Sequence, residues 1–185
     1  MIKRTAGTER REKYREEFFK GEEAWTCENE KGWFRATRTL PLILVLLSDK
    51  KLRGKLDPTS VYLELVARHI DSGVIEMKDE AEHASAAGFF SSRAVRSWQE
   101  RMQILEKNGF IKTQKIGSQR YKYVLIVHPT VAVQRLRDKE LVSDDWWAAY
   151  RARQIEIKED SFEDRQKRKP PKVVPIATGK TAVNE

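Results

Sequence analysis

The stretch Phe90–Ile111, FSSRAVRSWQERMQILEKNGFI, carries two different patterns on one predicted helix. Its large apolar side chains recur at intervals of three and four residues, which is the spacing of a single buried helical stripe. These are Val95, Trp98, Met102 and Leu105. The opposite face, set by a rotation of about 100° per residue, is polar. It holds Arg93, Arg96, Ser97, Glu100, Gln103 and Lys107.

Three shorter elements are predicted before this helix. Asp57-Pro58 is a favoured N-cap and first-turn pair, and it begins an amphipathic helix. The segment GVIEMKD, residues 73–79, alternates in the manner of a short strand. Asp79 then begins an alanine-lined helix, with Glu82 three residues on as in a capping box.

The long helix has signals at both ends and a predicted hairpin after it. Ser91 or Ser92 is the expected N-cap, and Asn108-Gly109 ends the helix because glycine readily takes the left-handed conformation. FIKTQKI and RYKYVLIV follow as two β-rich runs around a Gly-Ser-Gln turn. We expect one face of the second strand to belong to the core. That face holds Tyr121, Tyr123, Leu125 and Val127.

This order of strand, short helix, tight turn, long helix and basic hairpin resembles the winged helix-turn-helix superfamily from about Asp57 to His128. Ser91–Ile111 carries most of the likeness. The resemblance implies a mainly α fold with a small antiparallel sheet, here with extra N- and C-terminal helices. Trp98 departs from the pattern, because smaller aliphatic side chains are common at that inward position.

The resemblance also implies that the long helix lies in the major groove of DNA, with base contacts near its N-terminus. Arg93 and Arg96 are suited to bidentate contacts with guanine. Glu100 is either an acceptor for cytosine or, as we favour, a partner for one of these arginines. The expected DNA-binding residues are Ser91, Ser92, Arg93, Arg96, Ser97 and Gln103 on the helix, with Lys112, Lys115, Ser118, Gln119, Arg120 and Lys122 on the hairpin.

The positive charge is concentrated in the same region. The chain has a net charge of +8, and residues 90–122 contain 8 basic and only 2 acidic side chains. The segments 1–31, 32–89 and 123–159 each contain equal numbers of both signs. Such a concentration indicates a site for a polyanion, although a solvated basic face is the simpler explanation of charge alone.

The remaining segments suggest the domain organisation. Residues 1–32 form a charged arm that includes a helix over residues 8–20, and residues 33–128 form the winged-helix domain. Residues 129–159 read as two helices, whose aromatic cluster of Trp146, Trp147 and Tyr150 favours packing onto the body or a dimer contact over base stacking. Residues 160–185 are expected to be a disordered basic tail.

Several classes of function find no support. Cys27 is the only cysteine, so no intramolecular disulfide can form, and the three histidines are too scattered to suggest zinc. The apolar run LPLILVLL spans 8 residues, far fewer than the roughly 20 that cross a bilayer, and predicts a central core helix. No signal peptide and no catalytic, cofactor or metal-binding motif is apparent.

We therefore expect a cytoplasmic, nucleoid-associated protein that binds double-stranded DNA as a homodimer and regulates transcription without a small-molecule ligand. A plasmid- or phage-type role in replication or partition is an alternative within the same class. A winged-helix module that docks onto an acidic protein is a second class, and a protein that binds double-stranded or structured RNA is a third.

Overall fold

The computed structural model describes residues 6–20, 32–68 and 73–167. The chain divides into two compact units, Met1–Trp33 and Phe34–Glu185. The described part of the first unit is the helix α1 (Ala6–Phe18), close to the predicted bounds. Within it, the ring of Tyr14 stacks on that of Phe18 at a centroid distance of 5.7 Å.

The second unit is mainly helical, with one small antiparallel sheet, which confirms the predicted class. The sheet has the strand order β1-β3-β2, so the two strands of the hairpin are joined by a third strand that comes from earlier in the chain. The elements in chain order are α2 (Leu40–Leu47), α3 (Lys50–Arg53), α4 (Thr59–Arg68), β1 (Val74–Glu76), α5 (Glu80–Ala86), α6 (Ala94–Lys107), β2 (Ile111–Ile116), β3 (Gln119–Ile126), α7 (Pro129–Arg137), α8 (Asp144–Ile157) and α9 (Phe162–Lys167).

Helix α2 is only partly the core helix that its composition predicts. Leu40, Ile43, Leu46 and Leu47 are buried, but the side chain of Val45 is 60% exposed. The segment after α2 contains the short helix α3, whose first turn is capped by Asp49. No helix in the described ranges is both long enough and apolar enough to cross a membrane.

Polar contacts join α4 to α5. His83 Nδ1 lies 3.0 Å from Glu64 Oε1, and both side chains are buried. Arg68 donates to the same Glu64 carboxylate and, at 3.0 Å, to Glu82 Oε1. Asp79 caps α5 as predicted by accepting from the backbone N–H of Ala81. Glu82 is engaged by Arg68, and no bond from it back to Asp79 is present, so the predicted capping box is wrong.

Helix α6 is anchored by the predicted apolar stripe. Trp98, Met102 and Leu105 are fully buried, and Val95 is half-buried. The predicted serine cap is wrong, because the N-cap is Arg93 and its side chain makes no capping hydrogen bond. Ser91 instead accepts from the backbone N–H of Arg93 through Oγ at 3.3 Å, in the turn that precedes the helix.

The C-terminus of α6 has the predicted glycine ending. Gly109 has a φ of +77°, a conformation that L side chains rarely adopt. Its N–H donates to the carbonyl of Glu106, and the N–H of Phe110 donates to that of Leu105, both at 3.0 Å. This pair of bonds is a Schellman motif, in which the apolar side chains on either side of the glycine commonly meet. It ends the helix and directs the chain into β2.

The hairpin turn is shorter than predicted. Gly117 and Ser118 form a two-residue loop, and Gln119 pairs with Ile116 in the ladder instead of lying in the turn. Gly117 has a φ of +58°, as expected for the first central residue of a type II′ turn.

One face of β3 differs from the prediction because the ladder is irregular. Gln114 pairs with Tyr123 and Ile116 pairs with Gln119, so residues 120–122 lie opposite Lys115 alone. The extra residues change which side chains point inward beyond them. Tyr121 and Val127 are buried as predicted, but Val124 is buried and Leu125 is 39% exposed.

The C-terminal helices share the core of the second unit. Ala132, Val133 and Leu136 of α7 and Tyr150 of α8 are buried with the residues of α6 and the sheet. Ser143 caps α8 by accepting from the backbone N–H of Trp146. Residues 162–167, expected to lie in a disordered tail, form α9, and residues 168–185 are outside the described ranges.

The aromatic cluster of α8 packs within the chain. Trp146 stacks on Tyr150 at a centroid distance of 5.0 Å and donates from Nε1 to the carbonyl of Leu42 at 3.1 Å. Trp147 packs partly buried against the same core. Of the two interpretations favoured from the sequence, packing onto the body is the one observed in the single chain.

Candidate nucleic-acid interface

Four consecutive exposed residues immediately precede α6. They are Phe90, Ser91, Ser92 and Arg93. The run is held at both ends, because Phe89 packs against the core before it and Ala94 packs against the core after it. The helix beyond is fixed by its buried stripe. The exposed side chains of these four residues therefore extend from a well-packed segment of backbone at the N-terminus of α6. The partial positive charge of the backbone there favours anions.

Arg96 projects from the first turns of α6 with a side chain that is 77% exposed. Its Nε donates to Glu100 Oε1 at 3.1 Å, so Glu100 has the orienting role favoured from the sequence. This contact leaves Nη1 and Nη2 for another acceptor, such as the edge of a guanine base. An exposed pair of this kind contributes little to stability, about 0–1 kcal/mol. Glu100 therefore orients the guanidinium without burying it.

Two other predicted helix residues, Ser97 and Gln103, differ in exposure. The backbone carbonyl of Ser97 accepts from Arg101 Nη1 at 2.8 Å, and the residue is half-buried. Gln103 is exposed. Ser97 is therefore less accessible to a ligand than Arg93, Arg96 and Gln103.

Arg101 contributes to the local charge excess but has a structural role. It donates from Nε to the carbonyl of Asp57 at 2.8 Å, which joins α6 to the start of α4. Its guanidinium also lies over the ring of Phe89, 4.6 Å from the centroid. The charge count therefore overstates the number of cations that are free for a ligand.

The hairpin packs along the C-terminal half of α6. Glu106 accepts from the hydroxyl of Thr113 in β2 and lies 3.6 Å from Arg120 Nη2 in β3. The hydroxyl of Tyr121 donates to the carbonyl of Gln99 at 3.3 Å. These contacts fix the hairpin beside the helix and partly occupy Arg120, whose side chain remains half exposed.

Lys122, one of the predicted DNA-binding residues, is not an exposed cation of the hairpin. Its Nζ lies 2.8 Å from Glu76 Oε1 of β1, and its side chain is only 22% exposed. The hydrogen bond raises the pKa of Lys122 and lowers the pKa of Glu76, so both groups stay charged and paired near neutral pH. Lys122 thus stabilises the sheet.

The remaining hairpin residues of the predicted set are exposed. Lys112, Lys115, Ser118 and Gln119 lie on β2, at the turn and at the start of β3. Within the described part of the chain, Lys112 and Lys115 form no ion pair, and neither do Arg93 and Lys107 of α6. Together with Arg96, these cations form what we call the basic surface: Arg93, Arg96, Lys107, Lys112 and Lys115.

Sequence reasoning did not single out Phe90. Its side chain is 84% exposed, more than that of any other exposed large hydrophobic residue in the described ranges. The adjacent pair Phe89-Phe90 could have indicated an exposed aromatic ring. Only one of two neighbouring residues is expected to face the core at the turn before a helix. Phe89 takes that position.

Other types of site are not apparent. Across the described ranges, no group of three or more histidine, cysteine or acidic side chains is arranged to hold a metal ion. Comparison with protein-family models, with curated proteins and with solved structures gives no match to this chain. The basic surface is therefore the candidate functional site.

Proposed function

We propose that the chain is a sequence-specific double-stranded DNA-binding protein of the winged helix-turn-helix type, acting as a transcriptional regulator. The observation that carries this proposal is the two-sided character of α6. One side is locked into the core by Trp98, Met102 and Leu105. The other side carries the exposed Arg96 and, at the N-cap, the exposed Arg93, which forms no ion pair with any residue that the structure describes.

The order and pairing of elements support the proposal. Helix α4, strand β1, helices α5 and α6 and the β2–β3 hairpin follow one another as in a winged helix, and β1 pairs with β3 beside the hairpin. In that arrangement α5 and α6 are the two helices of the motif, and α6 enters the major groove.

The exposed residues then divide into two roles. Arg93 and Arg96 make the base contacts, each suited to the O6 and N7 acceptors of guanine. Lys107, Lys112 and Lys115 contact phosphates, which positions the protein without reading sequence. Ser91 and Ser92 bond phosphate at the helix start, and Ser118 and Gln119 follow the backbone at the hairpin tip.

A role in replication or partition uses the same surface and differs only in which DNA site is bound. The second candidate class is docking onto an acidic protein, and the exposed Phe90 and Ile116 are the observations that favour it. Pairing of two copies suits a palindromic site. Because the Trp146 cluster packs into its own chain, we do not assign the dimer contact to that cluster.

The proposal predicts a steep dependence of affinity on salt. If Lys107, Lys112 and Lys115 each neutralise one phosphate, log affinity should fall against log salt with a slope of about −3 per protomer. Fluorescence anisotropy with a labelled duplex, titrated at several sodium chloride concentrations, measures the slope.

Two variants make the measurement specific. Lys115→Ala should reduce the magnitude of the slope by about 1 and weaken all sequences alike. Lys139→Ala removes an exposed lysine beyond α7 and should leave the slope unchanged. A slope near zero, or equal effects of the two substitutions, would contradict contact between the basic surface and phosphate.

A further inference from the structure

Phe90 places an exposed apolar ring just before the polar, positively charged start of α6. It lies three residues before the N-cap Arg93, and no acidic residue occurs between Phe90 and Gln99. Its neighbour Phe89 packs against the core and anchors the backbone there, and the side chain of Phe90 points outward. Its side chain is 84% exposed and makes no aromatic contact within the described ranges.

The major groove of DNA offers one apolar group among its hydrogen-bonding groups. Guanine, adenine and cytosine present acceptors or amino donors there, whereas thymine presents an acceptor and its 5-methyl group. An acidic protein partner would have to supply both negative charge and a separate apolar pocket for the ring. A duplex supplies phosphates, guanine acceptors and thymine methyl groups within a few ångströms of each other.

We propose that Phe90 is a specificity-determining residue that selects thymine by contact with its 5-methyl group. The inference rests on the proposed function and assigns part of its specificity. Three residues span at most about 11 Å, and base pairs are stacked about 3.4 Å apart. The selected thymine should therefore lie within about three base pairs of the guanine contacted by Arg93.

The test compares protein variants with DNA that differs by single methyl groups. Duplexes selected from a randomised pool supply the preferred site, and each thymine in it is then replaced by deoxyuracil, which removes only the 5-methyl group. Anisotropy titrations at one fixed salt concentration give the affinity of the wild-type chain and of Phe90→Ala for every duplex. The matched control is Val45→Ala, which truncates an exposed apolar side chain on a different element, α2.

The wild-type chain and Val45→Ala should bind one deoxyuracil duplex about fourfold more weakly than the thymine duplex, the loss expected for one methyl group. Phe90→Ala should bind both duplexes equally, with the weaker affinity. Wild-type indifference to every thymine methyl group, or the same loss in Phe90→Ala, overturns the inference. Failure of the proposed function looks different, because no duplex is then enriched from the pool.

Discussion

Replacing Trp98 by alanine is expected to lower the free energy of unfolding by about 3–5 kcal/mol, the usual cost of truncating a buried aromatic side chain. The Trp98 side chain is 0% exposed and connects three elements. Its ring packs edge-on against the ring of Tyr121 in β3, with a centroid distance of 5.4 Å. The centroid of the His83 ring in α5 lies 6.0 Å away. Urea unfolding should show a lower midpoint with an unchanged slope.

Two further variants separate packing from polarity at this site. Among the described residues, the buried Nε1 of Trp98 has no hydrogen-bond partner, and a buried N–H left unpaired lowers stability. Trp98→Phe removes this group but keeps a ring against Tyr121, and it should lose much less stability than the alanine variant. Trp98→Leu keeps apolar volume and remains measurable if the alanine variant does not fold. Equal midpoints for all four proteins would contradict an anchoring role for Trp98.

Replacing Arg93 by alanine is expected to reduce affinity for the preferred duplex by about 1–3 kcal/mol, or 5- to 150-fold, and to relax discrimination at one base pair. The substitution is a clean probe, because the Arg93 side chain makes no capping hydrogen bond and is exposed. The helix should therefore keep its stability. Anisotropy titrations with the preferred duplex and its single-base variants measure both effects.

Arg135→Ala provides the matched control for this prediction. Arg135 is an exposed arginine on α7, outside the basic surface, and its loss should change neither affinity nor discrimination. If Arg93→Ala binds every duplex as the wild type does, α6 does not read bases through Arg93. The docking alternative would then be the better account of the exposed residues before α6.

Features of α6 that depend on local sequence could be predicted. The buried stripe follows from the spacing of Trp98, Met102 and Leu105, and the end of the helix follows from Gly109, which tolerates a positive φ. Its start could not be predicted as well. Ser91 bonds the backbone of Arg93 within a preceding turn, and the choice between a turn and a cap depends on the path of the chain from Phe89.

Features that depend on distant partners were missed. Arg101 contacts the carbonyl of Asp57, 44 residues away, and Lys122 pairs with Glu76 on another strand, so neither belongs to the basic surface. Counting charges in a segment does not show which of them are paired. The burial of Val124, where Leu125 was predicted to be buried, has a similar origin. The pairing of β2 with β3 determines where the ladder irregularity opposite Lys115 falls.

The most direct test of the central claim is to locate the contact on the protein. The ¹⁵N-labelled chain is titrated with its preferred duplex, and NMR shifts of the backbone amides and arginine side chains are followed. The largest changes should fall on residues 90–97 and 112–118, with those of α8 small. Saturable duplex binding with changes confined to other surfaces would contradict the claim that the outward side of α6 faces DNA.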